Sequence, residues 1–432
     1  MVGRGRTLFG GVHRLESLHC SVRPLYMRIA LLADTYPPEN RGGAGVVVER
    51  LAGAFVQAGH DVCVIATTSG AGSYRDQDGV RVRRLRSSYP ERFRNTVAMA
   101  NPMVLPGVRR ELADFKPDVV HAHNVHQHLS FASLSSASRL GVPLLYTAHD
   151  YLLFCCIKFI CTGGPVDFRQ RWFNCAKCQR FRWNPARNVV IDHHMTRHVD
   201  HLFAISRTLK TALRANGFGG AEVVYNGVDL DWWGGGNAAA FRSSHGLDGA
   251  PLALLAARVS REKGAEAALH ALARSQHPDL RLLIAGENPR YAPKLRRLAD
   301  ELGVGERLLL PGWMEPEALR DAYAATTLTL APSTYPDPFN LTLIESMAAG
   351  RPAIASTLGA GPEIVEDGAW GYSVDPNDAL ALADRIDLIV GDPEHAQALG
   401  TAARQRAAST FSLQRQVEQT LRRYDALLTA RT

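Results

Sequence analysis

From Met27 onward the chain alternates short apolar runs with amphipathic stretches of helical period, and it does so twice. In the first round "MRIALLAD" leads through the glycine-rich "TYPPENRGGAG" into "VVVERLAGAFVQAGH", which ends near Gly59, and on into "DVCVIAT". A strand, a glycine loop, a helix and a strand form a crossover unit, whose two strands lie parallel with a right-handed connection. "VRVRRL", "DVVHAHN", "PLLYTAH", "HLFAIS" and "EVVYNG" supply further strands, separated by stretches of helical or mixed character. The texture changes between Gly234 and Gly249, where "GGGNAAA" and "HGLDGAP" read as a linker. A second alternation follows in "LALLAAR", "LRLLIAGE", "RLLLPG", "TLTLAPS" and "PAIAST". This pattern predicts α/β architecture with doubly wound parallel sheets.

At 432 residues two cores are expected rather than one. The expected division is a disordered leader over 1–26, a Rossmann-like domain over 27–235, a second over 236–411, and a helix over 412–432 that bridges back to the first domain. The leader lacks the apolar core of a secretory signal, and a transit peptide is the rival reading of its arginines. No apolar run is long enough to cross a membrane. The net charge of +7 is concentrated in the first half: between Val80 and Asp118 nine basic residues face four acidic ones, and between Cys155 and Arg187 seven face one. Such faces suit solvent, anionic membranes or phosphorylated lipids; nucleic acid is disfavoured because aromatic and basic residues do not interleave.

The second half carries the strongest local signal, "APSTYPDPFNLTLIESMAAGRP" from Ala331 to Pro352. A buried strand turns through Tyr335 to Pro338 and enters a helix near Asn340, with Asp337 before the helix start and Glu345 beyond it. Backbone N–H groups at such a start favour anions, and a carboxylate receives both hydroxyls of a diol. Upstream, "ARVSREKG" sets Arg258 and Lys263 in the loop before the next helix, a fork and a point charge suited to a diphosphate. Each feature also has a plainer reading: an exposed basic turn, or a glutamate favouring the first turns of a helix.

Together with "RGGAG", "YTAHD", "VVYNGVD" and "GAGPEIV", these segments resemble the retaining glycosyltransferases of GT-B fold, in particular the large family 4 group. The resemblance runs from Met27 nearly to the end. It implies two Rossmann-like domains facing a cleft, a nucleotide-diphosphate sugar as donor, and no catalytic cofactor. By position, Arg258 and Lys263 would neutralise the diphosphate, Glu345 would hold the ribose diol, and Asp337 would contact the transferred sugar, where the family usually has a glutamate. Asn340 stands where the family has glycine, and Leu341 follows it. From the first domain, Gly42 and Gly43 would let backbone approach the donor, His149 would reach the sugar, and Asp150 would orient its ring. Ser206 and Asn226 read as structural. Lys263→Ala and Arg258→Ala are expected to abolish most turnover with the fold intact.

The insertion over 155–187 contains Cys156, Cys161, Cys175 and Cys178 in the spacing C-x4-C-x13-C-x2-C, a pattern that suits a structural zinc; ordinary buried thiols are the alternative. The histidines of "HAHNVHQH" (His121, His123, His126, His128) read as a polar rim of the cleft. The expected activity is sugar transfer to a glycan or lipid-linked acceptor by a cytoplasmic enzyme in peripheral contact with an anionic membrane. A nucleotide-sugar epimerase and a non-catalytic nucleotide-sugar-binding subunit are the competing readings. An NAD enzyme is disfavoured because the first loop lacks GxGxxG spacing.

Overall fold

The computed structural model describes residues 26–38, 42–157, 168–169, 172–180, 184–247 and 249–431, so the leader reading of residues 1–25 lies outside the described residues. The first sheet contains β1 (Arg28–Ala33), β2 (Asp61–Thr68), β3 (Ser73–Gln77), β4 (Val80–Arg86), β5 (Val119–His123), β6 (Leu144–Ala148), β7 (His201–Ala204) and β8 (Glu222–Val223). Their order across the sheet is β3-β4-β2-β1-β5-β6-β7-β8. All neighbours are parallel except β3, an antiparallel edge strand whose "SYRDQ" is too polar and exposed to register as an apolar run. The second sheet contains β9 (Leu252–Ala256), β10 (Arg281–Ala285), β11 (Leu308–Gly312), β12 (Leu328–Ala331), β13 (Ala353–Ser356) and β14 (Gly371–Val374) in the order β11-β10-β9-β12-β13-β14, all parallel. Both orders reverse direction next to the first strand of the sheet. In open α/β sheets, ligands bind at the strand carboxyl ends beside such a reversal.

The stretch expected as a linker is folded. Trp232 and Trp233 lie in a short helix, Leu230–Gly234, and "AAA" opens another, Ala238–Ser244, with Asn237 accepting the Ala240 N–H at 3.0 Å as its cap. Both helices pack on the helix Pro316–Ala325 of the second domain, where Trp233 meets Tyr323 edge to face at 5.1 Å. Close packing accounts for two of this stretch's glycines: a Cβ on Gly234 would lie 2.3 Å from Arg404 Nη1, and one on Gly236 2.5 Å from the Arg320 carbonyl oxygen. At the other end, the helix Leu413–Thr429 crosses to the first domain and packs on the helix Gly43–Gln57. Its Tyr424 is fully buried beside Phe55, their ring centroids 5.9 Å apart.

Loops at the carboxyl edge of the second sheet are locked by backbone contact. Gly264, at φ +80°, ends the turn Arg261–Lys263 and starts the helix Ala265–Arg274; a Cβ there would lie 2.0 Å from the Pro332 carbonyl oxygen. Gly359, at φ +71°, has the same role against the Asp337 backbone, 2.3 Å from its oxygen. Left-handed backbone and this approach both exclude a side chain. Gly264→Ala is therefore expected to destabilise the protein by about 2 kcal/mol or more, from positive-φ strain plus overpacking. A urea titration checks this, and an unchanged midpoint would contradict it.

Candidate active site

Asn340 begins the helix Leu341–Ala348, its side chain accepting the Thr342 N–H at 3.1 Å. At φ −100° it acts as a cap and needs no left-handed backbone. Thr342 Oγ1 donates to the Ala256 carbonyl at 2.6 Å, tying the helix start to the end of β9. The loop after β9 is stitched to the loop after β12 by the Thr334 N–H, which donates to the Glu262 carbonyl at 2.9 Å. These links bring Lys263 to Asp337, with Nζ to Oδ2 at 2.6 Å and Ser333 Oγ on the same oxygen at 3.4 Å. Burial alone would depress the Lys263 ammonium, but the Asp337 charge and the Tyr335 hydroxyl reverse this and hold its pKa above the usual value. The cation also lies 5.3 Å from the Tyr335 ring centroid.

Glu345 is buried in the second turn of the same helix. Its Oε1 accepts from Arg50 Nη2 at 2.8 Å and its Oε2 from Tyr323 Oη at 3.3 Å. Burial raises its pKa, while Arg50 and the two hydrogen bonds oppose that shift. Arg50 belongs to the helix Gly43–Gln57 of the first domain, so this ion pair spans the cleft. Leu341 packs onto the same helix, its Cδ1 lying 3.6 Å from where a Cβ of Gly43 would be. Gly42 is the helix cap and Gly43 its first residue, so the helix starts earlier than the sequence reading placed it. Arg258 stands apart: it is exposed in the loop after β9 and makes no ion pair with a described residue.

His149 and Asp150 follow β6, and both are buried. Asn124 clamps them: its Oδ1 accepts the His149 N–H at 3.0 Å and its Nδ2 donates to Asp150 Oδ2 at 3.0 Å. Asp150 Oδ1 accepts the Leu152 N–H at 2.9 Å. On the His149 ring, Nε2 meets His123 Nδ1 at 2.9 Å, a partner the sequence reading did not assign. Tyr151, two residues on, is near enough to Asp337 for that charge to add to burial in raising its phenol.

The reading of His121 and His123 as a cleft rim is corrected: both are about 1% exposed. His121 is held between Tyr424 Oη and Thr147 Oγ1, each at 2.7 Å, and its ring lies 4.1 Å from that of His123. For His121 the sequence pattern missed this because its cover, Tyr424 of the C-terminal helix, is distant in the chain; His123 packs against the rings of His121 and His149. Ser206 caps the helix Arg207–Ala215 through the Leu209 N–H at 3.0 Å. Asn226 is buried. Glu363, in "GAGPEIV", reaches from the second domain to the Arg207 N–H at 2.7 Å, and Thr208 Oγ1 donates to the Gly359 carbonyl at 3.2 Å.

With this geometry in view, comparison with known proteins is decisive. The family model described as Glycosyltransferase Family 4 matches residues 41–232, and that described as Glycosyl transferases group 1 matches residues 238–406. The chain belongs to the GT-B glycosyltransferases. It is 28% identical to a glycogen synthase of Mycobacterium tuberculosis over 410 residues, covering 90% of this chain and 92% of that one. Its fold matches sucrose-phosphate synthase from Thermosynechococcus elongatus with a TM-score of 0.75 at 22% identity, covering 93% and 99% of the two chains. It also matches Anabaena HepE, solved in complex with UDP-glucose, with a TM-score of 0.70 at 19% identity, covering 93% and 100%.

Two surface expectations fare differently in this transferase. Cys155, Cys156 and Cys175 are buried and Cys178 is exposed, while Cys161 lies outside the described residues. Cys156 and Cys175 share a hydrogen bond that, with burial, raises the Cys156 pKa. Among the described residues, no three His, Cys, Asp or Glu side chains form a metal-competent group, so the zinc reading is unsupported. Much of the β4 charge is compensated: Arg81 pairs with Asp61 at 3.1 Å, Arg83 with Glu111 at 3.7 Å, and buried Arg84 donates to the Pro37 carbonyl. Among the described residues no helix is long and apolar enough to cross a membrane.

The ion pair changes one expectation. Lys263 and Asp337 are largely buried, so removing the lysine strands a carboxylate. Lys263→Met is expected to cost about 2 kcal/mol of stability, most of it recovered in the Lys263→Met/Asp337→Asn double variant. Denaturant titrations of the set check this; full additivity would refute it. The histidines give a pH dependence. Burial holds His121 down to about 3 and His123 well below its usual value. Unfolded chains take up these protons below about pH 6.5, whereas the folded protein resists until far lower. Stability is thus complete above that pH and declines on acidification. Thermal scans from pH 7.5 to 4.5 should show Tm falling, with a shallower slope in His121→Gln; equal slopes would rule out this origin.

Proposed function

We propose that the protein transfers a sugar from a nucleotide-diphosphate sugar to a glycan or lipid-linked acceptor with retention of configuration. The observation that carries this reading is the Lys263–Asp337 pair at 2.6 Å, beside a helix start that leads to Glu345. Lys263 and the exposed Arg258 would neutralise charge developing on the departing diphosphate. Preorganised donors of this kind typically contribute several kcal/mol to transition-state stabilisation. Glu345 would bind the ribose diol, Asp337 and His149 the transferred sugar, and the Gly42–Gly43 helix start the donor phosphates. The related HepE, solved with UDP-glucose, supports a nucleotide-sugar donor. A front-face displacement, in which the departing phosphate takes the acceptor proton, requires no protein nucleophile, so Asp337 and Glu345 serve as binding groups.

A peripheral contact with an anionic membrane rests on the remaining basic surface of the first domain, and ion pairs at Arg81 and Arg83 weaken it. Salt-insensitive failure to float with anionic vesicles would retire that part alone.

A thermal-shift screen of nucleotide sugars identifies the donor, since ligand at a hundredfold over Kd stabilises by about 2.7 kcal/mol. With that donor, Arg258→Ala should lower kcat by roughly 10²–10³ at unchanged Tm, and the product should keep the donor's anomeric configuration by NMR. Near-normal turnover in Arg258→Ala would sink the diphosphate assignment. A sugar altered without any acceptor would identify an epimerase, and donor binding without turnover a binding subunit.

A further inference from the structure

Arg50 lies midway along a first-domain helix, yet its guanidinium sits in the second domain's candidate site. One nitrogen, Nη2, is spent on Glu345 at 2.8 Å, and the group lies 5.8 Å from the Trp233 ring centroid. The other, Nη1, is buried and meets no acceptor among the described residues. A buried donor of a charged group is expensive to leave unmatched, so an acceptor brought by a ligand would be held strongly here. Glu345 complements it. Its two oxygens offer about four lone-pair sites, and Arg50 and Tyr323 use one on each oxygen.

A donor nitrogen beside free carboxylate lone pairs matches a vicinal diol, because each hydroxyl both donates and accepts. We propose that Arg50 is a nucleotide-binding residue: the ribose hydroxyls donate to Glu345 and one of them accepts from Arg50 Nη1. The ribose is then held by both domains at once, and donor binding is tied to the closed arrangement that brings Arg50 to Glu345. This inference rests on Glu345 as the ribose ligand.

Calorimetry with ADP, GDP and UDP, and with the 2′,3′-dideoxy counterpart of whichever binds, tests it on the full chain. Arg50→Lys is the main variant, since an ammonium keeps the ion pair but has no second planar nitrogen; Arg50→Met removes both. The expected result is at least a tenfold loss of affinity for the ribonucleotide in each variant, with less than twofold loss for the dideoxy compound. Equal losses for the two compounds, or no loss in either variant, would overturn the inference. Glu345→Ala, measured in parallel, separates the two claims. If it abolishes the preference for the diol while Arg50→Lys and Arg50→Met keep it, only the role of Arg50 fails. If the preference survives in all three, the ribose site itself is wrong. Tm values within a few degrees of the parent exclude unfolding as the cause.

Discussion

Parallel strands share a direction, so every connection leaving a strand's carboxyl end emerges on the same edge of the sheet. In this chain that constraint places the loops after β9, β12 and β13 side by side, and the loops after β5 and β6 on the edge of the other sheet. Residues far apart in sequence, Lys263 and Asp337, thereby come within 2.6 Å. Two glycines then remove the remaining tolerance, because Gly264 and Gly359 let backbone touch backbone at Pro332 and Asp337. The loops that carry these residues are held by main-chain contacts as well as by side-chain hydrogen bonds.

The charges in the crevice are matched in a consistent manner. Each buried carboxylate has a partner supplied by another loop or by the opposite domain: Asp337 takes Lys263, Glu345 takes Arg50, and Glu363 takes the exposed amides at the start of the helix Arg207–Ala215. Buried pairs of this sort add little net stability, since desolvation offsets attraction, but losing one partner is expensive. Their effect is therefore on geometry. Two of the three bridge the domains, so the mutual placement of the domains is written in charge as well as in the apolar contact of Leu341 with the first helix.

Most of the sheet was legible in the sequence because strands covered on both faces are almost uniformly apolar, as "LALLA" and "AIAS" show. The helix at Leu341 was legible from its capping asparagine and periodic apolar residues. The polar β3 was not, since an exposed edge strand needs no apolar pattern. Asp337, Lys263 and Glu345 stood out as charges near helix starts at strand ends. Arg50 and Tyr323 did not: an arginine and a tyrosine inside amphipathic helices carry no local mark of reaching toward a carboxylate 295 and 22 residues away. The burial of His121 was hidden for the same reason, because Tyr424, which covers it, is 303 residues away. The cysteine spacing, conversely, promised more order than the described thiols display.

The last helix has a consequence for how the protein is made. Tyr424 and Val417 belong to the same apolar cluster as Met27, Ile29 and Phe55, so the first domain's core includes residues translated after the whole second domain. Domains of most multidomain proteins fold in turn as they leave the ribosome. Here the contacts of Tyr424 with Phe55 and His121 become available only after the whole second domain has been made.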